Sequence, residues 1–286
     1  MTNVNPHTGP QAQHAPAAQT VFFGIPLKAR AVSKNWDWTV RDFNRTLASI
    51  YNQTNPNFRI LVGCHDIPEL LIPTDERLEF LSVDRPIHSG RNEGALYQDK
   101  SAKLERIAES FRECEGEWFM TLDADDLVST QLVRFILTHS NPNGFIVRRG
   151  YIFDQLHRIV AEVPHPEIFK WPFDKGCGSC AIIRLAASDL KAEDNNFENS
   201  RLSRYIIKAN HTELYENSIR DGRPLSPLPF LAVTYVVNTG ENHSFVYGRF
   251  KWSRQNELLP ALNKYGEAAN VTFRNEFGVT NELWNA

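Results

Sequence analysis

Trp118-Phe119-Met120-Thr121-Leu122 runs without a break into Asp123-Ala124-Asp125-Asp126, and the reading of this stretch decides the fold. The first five residues predict a buried strand. The acids then emerge at its end. If the chain continues extended, residues two apart point the same way, so Asp123 and Asp125 present two carboxylates on one side with little bulk at Ala124. Crowded carboxylates repel one another unless a cation neutralises them, and hard divalent ions take oxygens from carboxylates and phosphates together. The alternative is a solvated turn or a helix N-terminus, with Asp125 or Asp126 capping a helix over residues 129–139; capping by one is compatible with metal binding by another. An acidic triplet alone is a weak signal, so its position after an apolar strand carries the inference.

Upstream, Leu104, Ile107, Ala108 and Phe111 recur at helical spacing. Before them come strands at residues 78–83 and 58–63, the latter followed by a polar break at Cys64-His65-Asp66. Val40, Phe43, Leu47 and Ile50 predict a helix capped by Asp37, preceded by the strand Val21-Phe22-Phe23-Gly24-Ile25, which Pro26 stops. Strand and helix thus alternate. The pattern predicts an α/β, Rossmann-like, mostly parallel sheet flanked by helices, with ligands at the carboxyl ends of the strands. Downstream, strands at residues 145–148, 181–184 and 232–237 stand between long polar segments, and Leu258, Leu259 and Leu262 give a weak helical pattern.

Composition narrows the function. The chain has 286 residues, 42% of them hydrophobic, enough for a large core. With 31 basic and 34 acidic residues its formal charge is -3, which gives no basic field for nucleic acid. No run approaches the roughly 20 apolar residues of a spanning helix, and the N-terminus lacks the pattern of a leader, so the expectation is a soluble, cytoplasmic protein, with peripheral membrane contact and oligomeric state left open. Residues 1–20, rich in Pro, Ala and Gln, read as a disordered tail. Four cysteines make no disulfide framework. Cys177-Gly178-Ser179-Cys180 has CxxC spacing, but a zinc site needs a second pair, and small buried residues at a glycine turn are the preferred reading.

In combination these pieces resemble the GT-A-fold glycosyltransferases, especially the inverting family two type. The residues that carry the likeness are Ile25-Pro26, the segment Ser49-Ile50-Tyr51-Asn52-Gln53-Thr54-Asn55-Pro56-Asn57-Phe58, Gly116-Glu117-Trp118, and Leu122 to Asp126. The resemblance implies a metal-dependent enzyme that moves a sugar from a nucleotide-diphosphate donor to a hydroxyl of a carbohydrate or glycolipid acceptor, with surface polysaccharide synthesis as the suggested setting. It implies Mn2+ or Mg2+ held by Asp123, Asp125 and a late histidine, His243. It further implies donor contacts from Pro26, Asp66, Lys100, Lys103 and Asp123. Residues 21–127 would bind the nucleotide-sugar, residues 128–250 the acceptor, and residues 251–286 would form a helical extension.

The family's catalytic Glu-Asp dipeptide, heading a helix that ends in Gly, falls here on Asn210-His211. This is a departure, which makes His211 or Glu213 the candidate general base, with the literal Glu193-Asp194 as a rival. The glycines around Cys177, and Phe169, Trp171 and Phe173, stand where an acceptor sugar could approach or simply where a turn and core require them. Two other classes stay open. A sugar nucleotidyltransferase would ordinarily carry a glycine-rich basic loop after the first strand, where this chain has Leu27-Lys28-Ala29-Arg30. A catalytically inactive carbohydrate-binding protein of the same fold is compatible with the Asn210-His211 departure.

Overall fold

The computed structural model describes residues 19–87, 93–114, 116–139, 141–190, 199–242 and 257–285. His243, Glu193-Asp194, the expected boundary at residue 250 and residues 1–18 of the expected tail lie outside them.

The first half is built as its apolar runs dictate. Val21–Pro26 (β1) leads through helix Trp36–Tyr51 (α1) to Phe58–Cys64 (β2) and Leu78–Ser82 (β3), then through helix Glu93–Glu113 (α2) to Trp118–Thr121 (β4). β1 lies between β2 and β4, parallel to both, with Val21 opposite Phe58 on one side and Trp118 on the other. Val21 through Ile25 are all buried, as expected of a strand covered on both faces. Val40, Phe43, Leu47 and Ile50 form the buried stripe of α1. Its cap corrects the sequence reading: the side chain of Asn35 accepts from the backbone N–H groups of Asp37 and Trp38. The helix begins at Trp36, so Asp37 sits in its first turn, where a negative charge still favours the dipole.

The chain continues through Leu127–Val128 (β5), Leu132–Thr138 (α3), Gly144–Ile146 (β6), Gly150–Asp154 (β7), Ile159–Val163 (β8), Ala181–Arg184 (β9), Leu214–Arg220 (α4), Ser226–Pro227 (β10) and Val233–Val237 (β11). Leu259–Tyr265 (α5), Glu267–Ala268 (β12), Val271–Glu276 (α6) and Asn281–Asn285 (α7) follow. The larger sheet has the order β10-β6-β9-β4-β1-β2-β3. β9 runs antiparallel to both its neighbours, and the other pairings are parallel. The protein is therefore a mixed α/β fold with a mostly parallel sheet flanked by helices.

A second sheet, β12-β8-β7-β11-β5, forms from residues that the sequence reading left largely as polar connections. β11 pairs parallel with β7 and antiparallel with β5. Because β5 directly follows the acidic stretch, residues 123–126 turn the chain from one sheet into the other. The core is continuous through both, from Val21 and Phe119 to Ile152, Val233 and Leu262. Phe153, Phe273, Phe277 and Leu283 form a smaller cluster that seats the C-terminal helices on the second sheet. No helix among the described residues is long and apolar enough to cross a membrane.

Candidate functional site

The acidic stretch is a turn. The backbone N–H of Asp126 donates to the carbonyl of Asp123 at 3.1 Å, so the chain turns there and is not extended as the sequence reading assumed. Asp123 and Asp125 take different partners. Lys100 Nζ on α2 lies 2.5 Å from Asp123 Oδ1, while Asn242 Nδ2 donates to Asp125 Oδ2 at 2.8 Å.

Asp126 is the floor of the turn. Its Oδ2 accepts from Ser179 Oγ at 2.6 Å and Cys177 Sγ at 3.1 Å, and its Oδ1 accepts from the backbone N–H of Val236 at 3.0 Å. It therefore joins the loop before β9 to β11 and caps no helix; α3 starts only at Leu132, and Ser129 Oγ accepts from the Gln131 N–H. Burial, then the charge of Asp123, pushes the Asp126 carboxyl up to about 7 against these three hydrogen bonds. Burial likewise raises Asp125 well above the carboxylate range, reinforced by Asp126, Asp123 and Asp42 and opposed by Lys28. Burial pulls Lys100 down, but Asp123, Asp126 and Asp125 outweigh it and raise the ammonium's value. Burial also pushes both thiols of the CxxC segment up, and Cys177 acts as a donor to Asp126.

Three carboxyls crowd around the single ammonium of Lys100, and Asp125 and Asp126 are pushed toward the neutral form, a setting in which a hard cation would favour the carboxylates. Among the described residues no three His, Cys, Asp or Glu side chains converge on one point to hold it. The oxygens the turn could offer such an ion are those of Asp125 and Asp123, and phosphate and water would have to supply the rest.

The other candidates divide. Pro26 ends β1, opposite Gly63, and Asp66 follows β2, its Oδ2 accepting from the Arg30 N–H at 2.8 Å. Both lie at the carboxyl edge of the parallel strands, with the acidic turn after β4. Lys103, one turn along α2 from Lys100, does not. Its side chain is 1% exposed against 42% for Lys100, and its Nζ is ion-paired with Asp99, which also stands 3.7 Å from His65 Nδ1. Lys103 braces the strand edge from beneath and is enclosed where it was expected to reach a phosphate. The reason is register: α2 turns Lys100 toward the strand ends and Lys103 onto the sheet, where its backbone packs against Gly63.

His211 lines an open cleft of about 480 Å³ together with Lys100, Thr121, Gly178 and Tyr205. Gly178 lets the loop approach closely there: a Cβ would sit 3.2 Å from Asp123 Oδ2 and 3.9 Å from Lys100 Nζ. His211 opens a 3-10 turn, capped by Asn210, that runs into α4, and the helix segment ends at Gly222 with φ +67°. Glu213 is exposed and accepts from Asn210 Nδ2 at 3.4 Å, outside the residues lining the cleft. Phe173 is buried in the core, and Trp171 is exposed with Lys170 over its ring.

Two residues that fix the surroundings of the acidic turn escaped the sequence reading. Asn242 spends both donors and its acceptor on fixed groups: Nδ2 serves Asp125 and the Val236 carbonyl, and Oδ1 accepts from the N–H and Oγ1 of Thr239. Its neighbour Glu241 takes Lys28 Nζ at 2.8 Å and the Asn35 N–H at 2.6 Å, which bolts this loop to the entrance of α1. The available signal was the polar run Asn238-Thr239-Gly240-Glu241-Asn242 directly after a strand.

No protein-family model matches the sequence, and no curated protein matches it. A crystal structure of S. aureus TarS is similar over 86% of this chain and 43% of that one, at 13% identity and a TM-score of 0.34. The chain thus spans less than half the length of that structure, and a likeness at this level carries nothing about activity.

Proposed function

We propose that this chain is a glycosyltransferase that moves a sugar from a nucleotide-diphosphate donor to a hydroxyl acceptor, with Mn2+ or Mg2+ at Asp125. The observation that supports the reading is a turn that crowds three acidic side chains, with Lys100 on Asp123, at the carboxyl edge of a parallel sheet. Pro26 and Asp66 stand along that edge for the nucleotide, and Lys100 for a phosphate. When bound, the cation neutralises the departing nucleoside diphosphate. Asn242 holds one oxygen of Asp125, so the carboxylate is oriented before ligand arrives.

The acceptor occupies the cleft lined by His211, Lys100 and Gly178. His211 takes the proton of its attacking hydroxyl, and transfer inverts the anomeric centre. Glu213 is a weaker candidate because it does not line that cleft. A membrane-peripheral glycolipid and a soluble carbohydrate are both acceptors of the required chemistry. The test is turnover of a panel of nucleotide-diphosphate sugars in manganese, reading nucleoside diphosphate released. Release is expected, and His211→Ala lowers it by about 10²–10⁴-fold with nucleotide affinity kept. Pyrophosphate released from a nucleoside triphosphate would instead establish a nucleotidyltransferase.

A further inference from the structure

A second groove begins at Asp125 and shares no lining residue with the His211 cleft. It is shallow and open to solvent, and among its walls are Arg45 on α1, Gln155 and Arg158 in the β7–β8 turn, Phe153 on β7 and Trp284 on α7. The polar groups are fixed from behind. Asp42, buried beneath, accepts through Oδ1 from Gln155 Nε2 at 3.0 Å and from Arg45 Nη1 at 3.3 Å, and Arg45 Nε donates to the Leu283 carbonyl at 2.6 Å.

Arg158 is the unusual member. It stands at φ +59°, where an asparagine or glycine is the ordinary choice. Its guanidinium lies 5.6 Å from the Trp284 ring centroid, and among the described residues it pairs with no carboxylate. Arg41 and Arg45 already share Asp42. Burial holds the Arg45 value down to about 10, with Asp42 drawing it up and Arg41 and Arg158 repelling it. The groove thus presents two guanidinium groups, Arg45 tied to Asp42 and Arg158 without a carboxylate partner among the described residues, with Asp125 at its mouth and an aromatic pair beside them, since Trp284 stacks on Phe153 at 5.3 Å.

Two guanidinium groups on one opening suit an oxyanion, and an aromatic surface beside an amide suits a sugar ring. We propose that this groove binds a saccharide unit bearing a phosphate or a carboxylate, with the anionic group between Arg45 and Arg158 and the ring toward Trp284. The proposal deepens the glycosyl-transfer reading and rests on it for its role, because the groove opens at Asp125; the binding itself is measurable without transfer.

The test is calorimetric titration of the full chain, in chelator, with glucose 6-phosphate, glucuronate, glucose and inorganic phosphate. At least one charged sugar binds about tenfold or more tightly than glucose and than inorganic phosphate. Whichever charged sugar binds better identifies the anionic group. Arg158→Gln, at an exposed position, removes that preference with an unchanged unfolding temperature; Arg158→Lys restores part of it; Lys100→Ala, in the other cleft, leaves it intact. Equal binding of glucose, equal binding of inorganic phosphate, no binding of either charged sugar, or a preference that survives Arg158→Gln overturns the proposal. UDP and GDP titrated with manganese into the same preparation separate the two claims: nucleotide binding without charged-sugar binding sinks the groove alone, and the reverse sinks the transfer reading alone.

Discussion

Lys103 and Asp126 sit beneath the site, and Lys100 and Asp125 sit at its rim, yet the members of each pair of neighbours are of one chemical type and within a turn of each other in sequence. The floor residues are enclosed, with their charges spent on Asp99 and on Ser179, Cys177 and Val236. The rim residues keep surface toward open clefts. Identical side chains thus divide between holding the strand edge together and facing an open cleft.

The sharpest way to break this division is to empty the floor. Lys103→Met leaves Asp99 buried without its cation, and the expected loss in chemical unfolding is about 3–5 kcal/mol. Nucleotide affinity of the folded protein stays unchanged; a selective loss of that affinity would move Lys103 to the rim. The same variant has a pH signature. Burial lowers the Lys103 value, offset by Asp99, so between that lowered value and the ordinary 10.5 the unfolded chain holds a proton that the folded chain lacks. Stability contributed by this group therefore rises with pH through that window, and the difference between wild type and Lys103→Met widens there. A difference that narrows would reverse the assigned shift.

Asp126→Ala comes next. It strands the Val236 N–H and Ser179 Oγ but relieves like-charge crowding, for a net loss of about 2–3 kcal/mol in the same unfolding measurement. Asp126→Asn keeps an acceptor for Val236 and costs less. A variant as stable as wild type would show that the turn does not depend on its floor.

The central alternation was legible because strands β1, β2 and β4, covered on both faces, are continuous apolar runs, and because α1 carries its buried stripe at helical spacing. The second sheet was not, since β5 and β12 are two residues each and β11 finds β7 and β5 far away in sequence. The acids themselves were legible and their geometry was not: Asp126 is fixed by Val236, 110 residues on, and its own N–H closes a turn onto the Asp123 carbonyl. The same limit hid Asn242, whose role depends on a carboxylate 117 residues earlier. The Lys100 and Lys103 difference needed the register of α2 on the sheet, although the i,i+4 pairing of Asp99 with Lys103 was visible.

The smallest expected effect sharpens the rim. Asn242→Ala frees Asp125 Oδ2 and should weaken manganese-dependent nucleotide binding by about three- to tenfold. Binding as tight as wild type would remove Asn242 from the site.

The most direct test of the account is calorimetric titration of UDP and GDP with manganese, repeated in chelator and with Asp125→Ala. The account predicts that one nucleotide binds only with the metal, and that Asp125→Ala abolishes this binding without lowering the unfolding temperature. Binding that survives both chelator and the substitution, or no binding of either nucleotide, would contradict it.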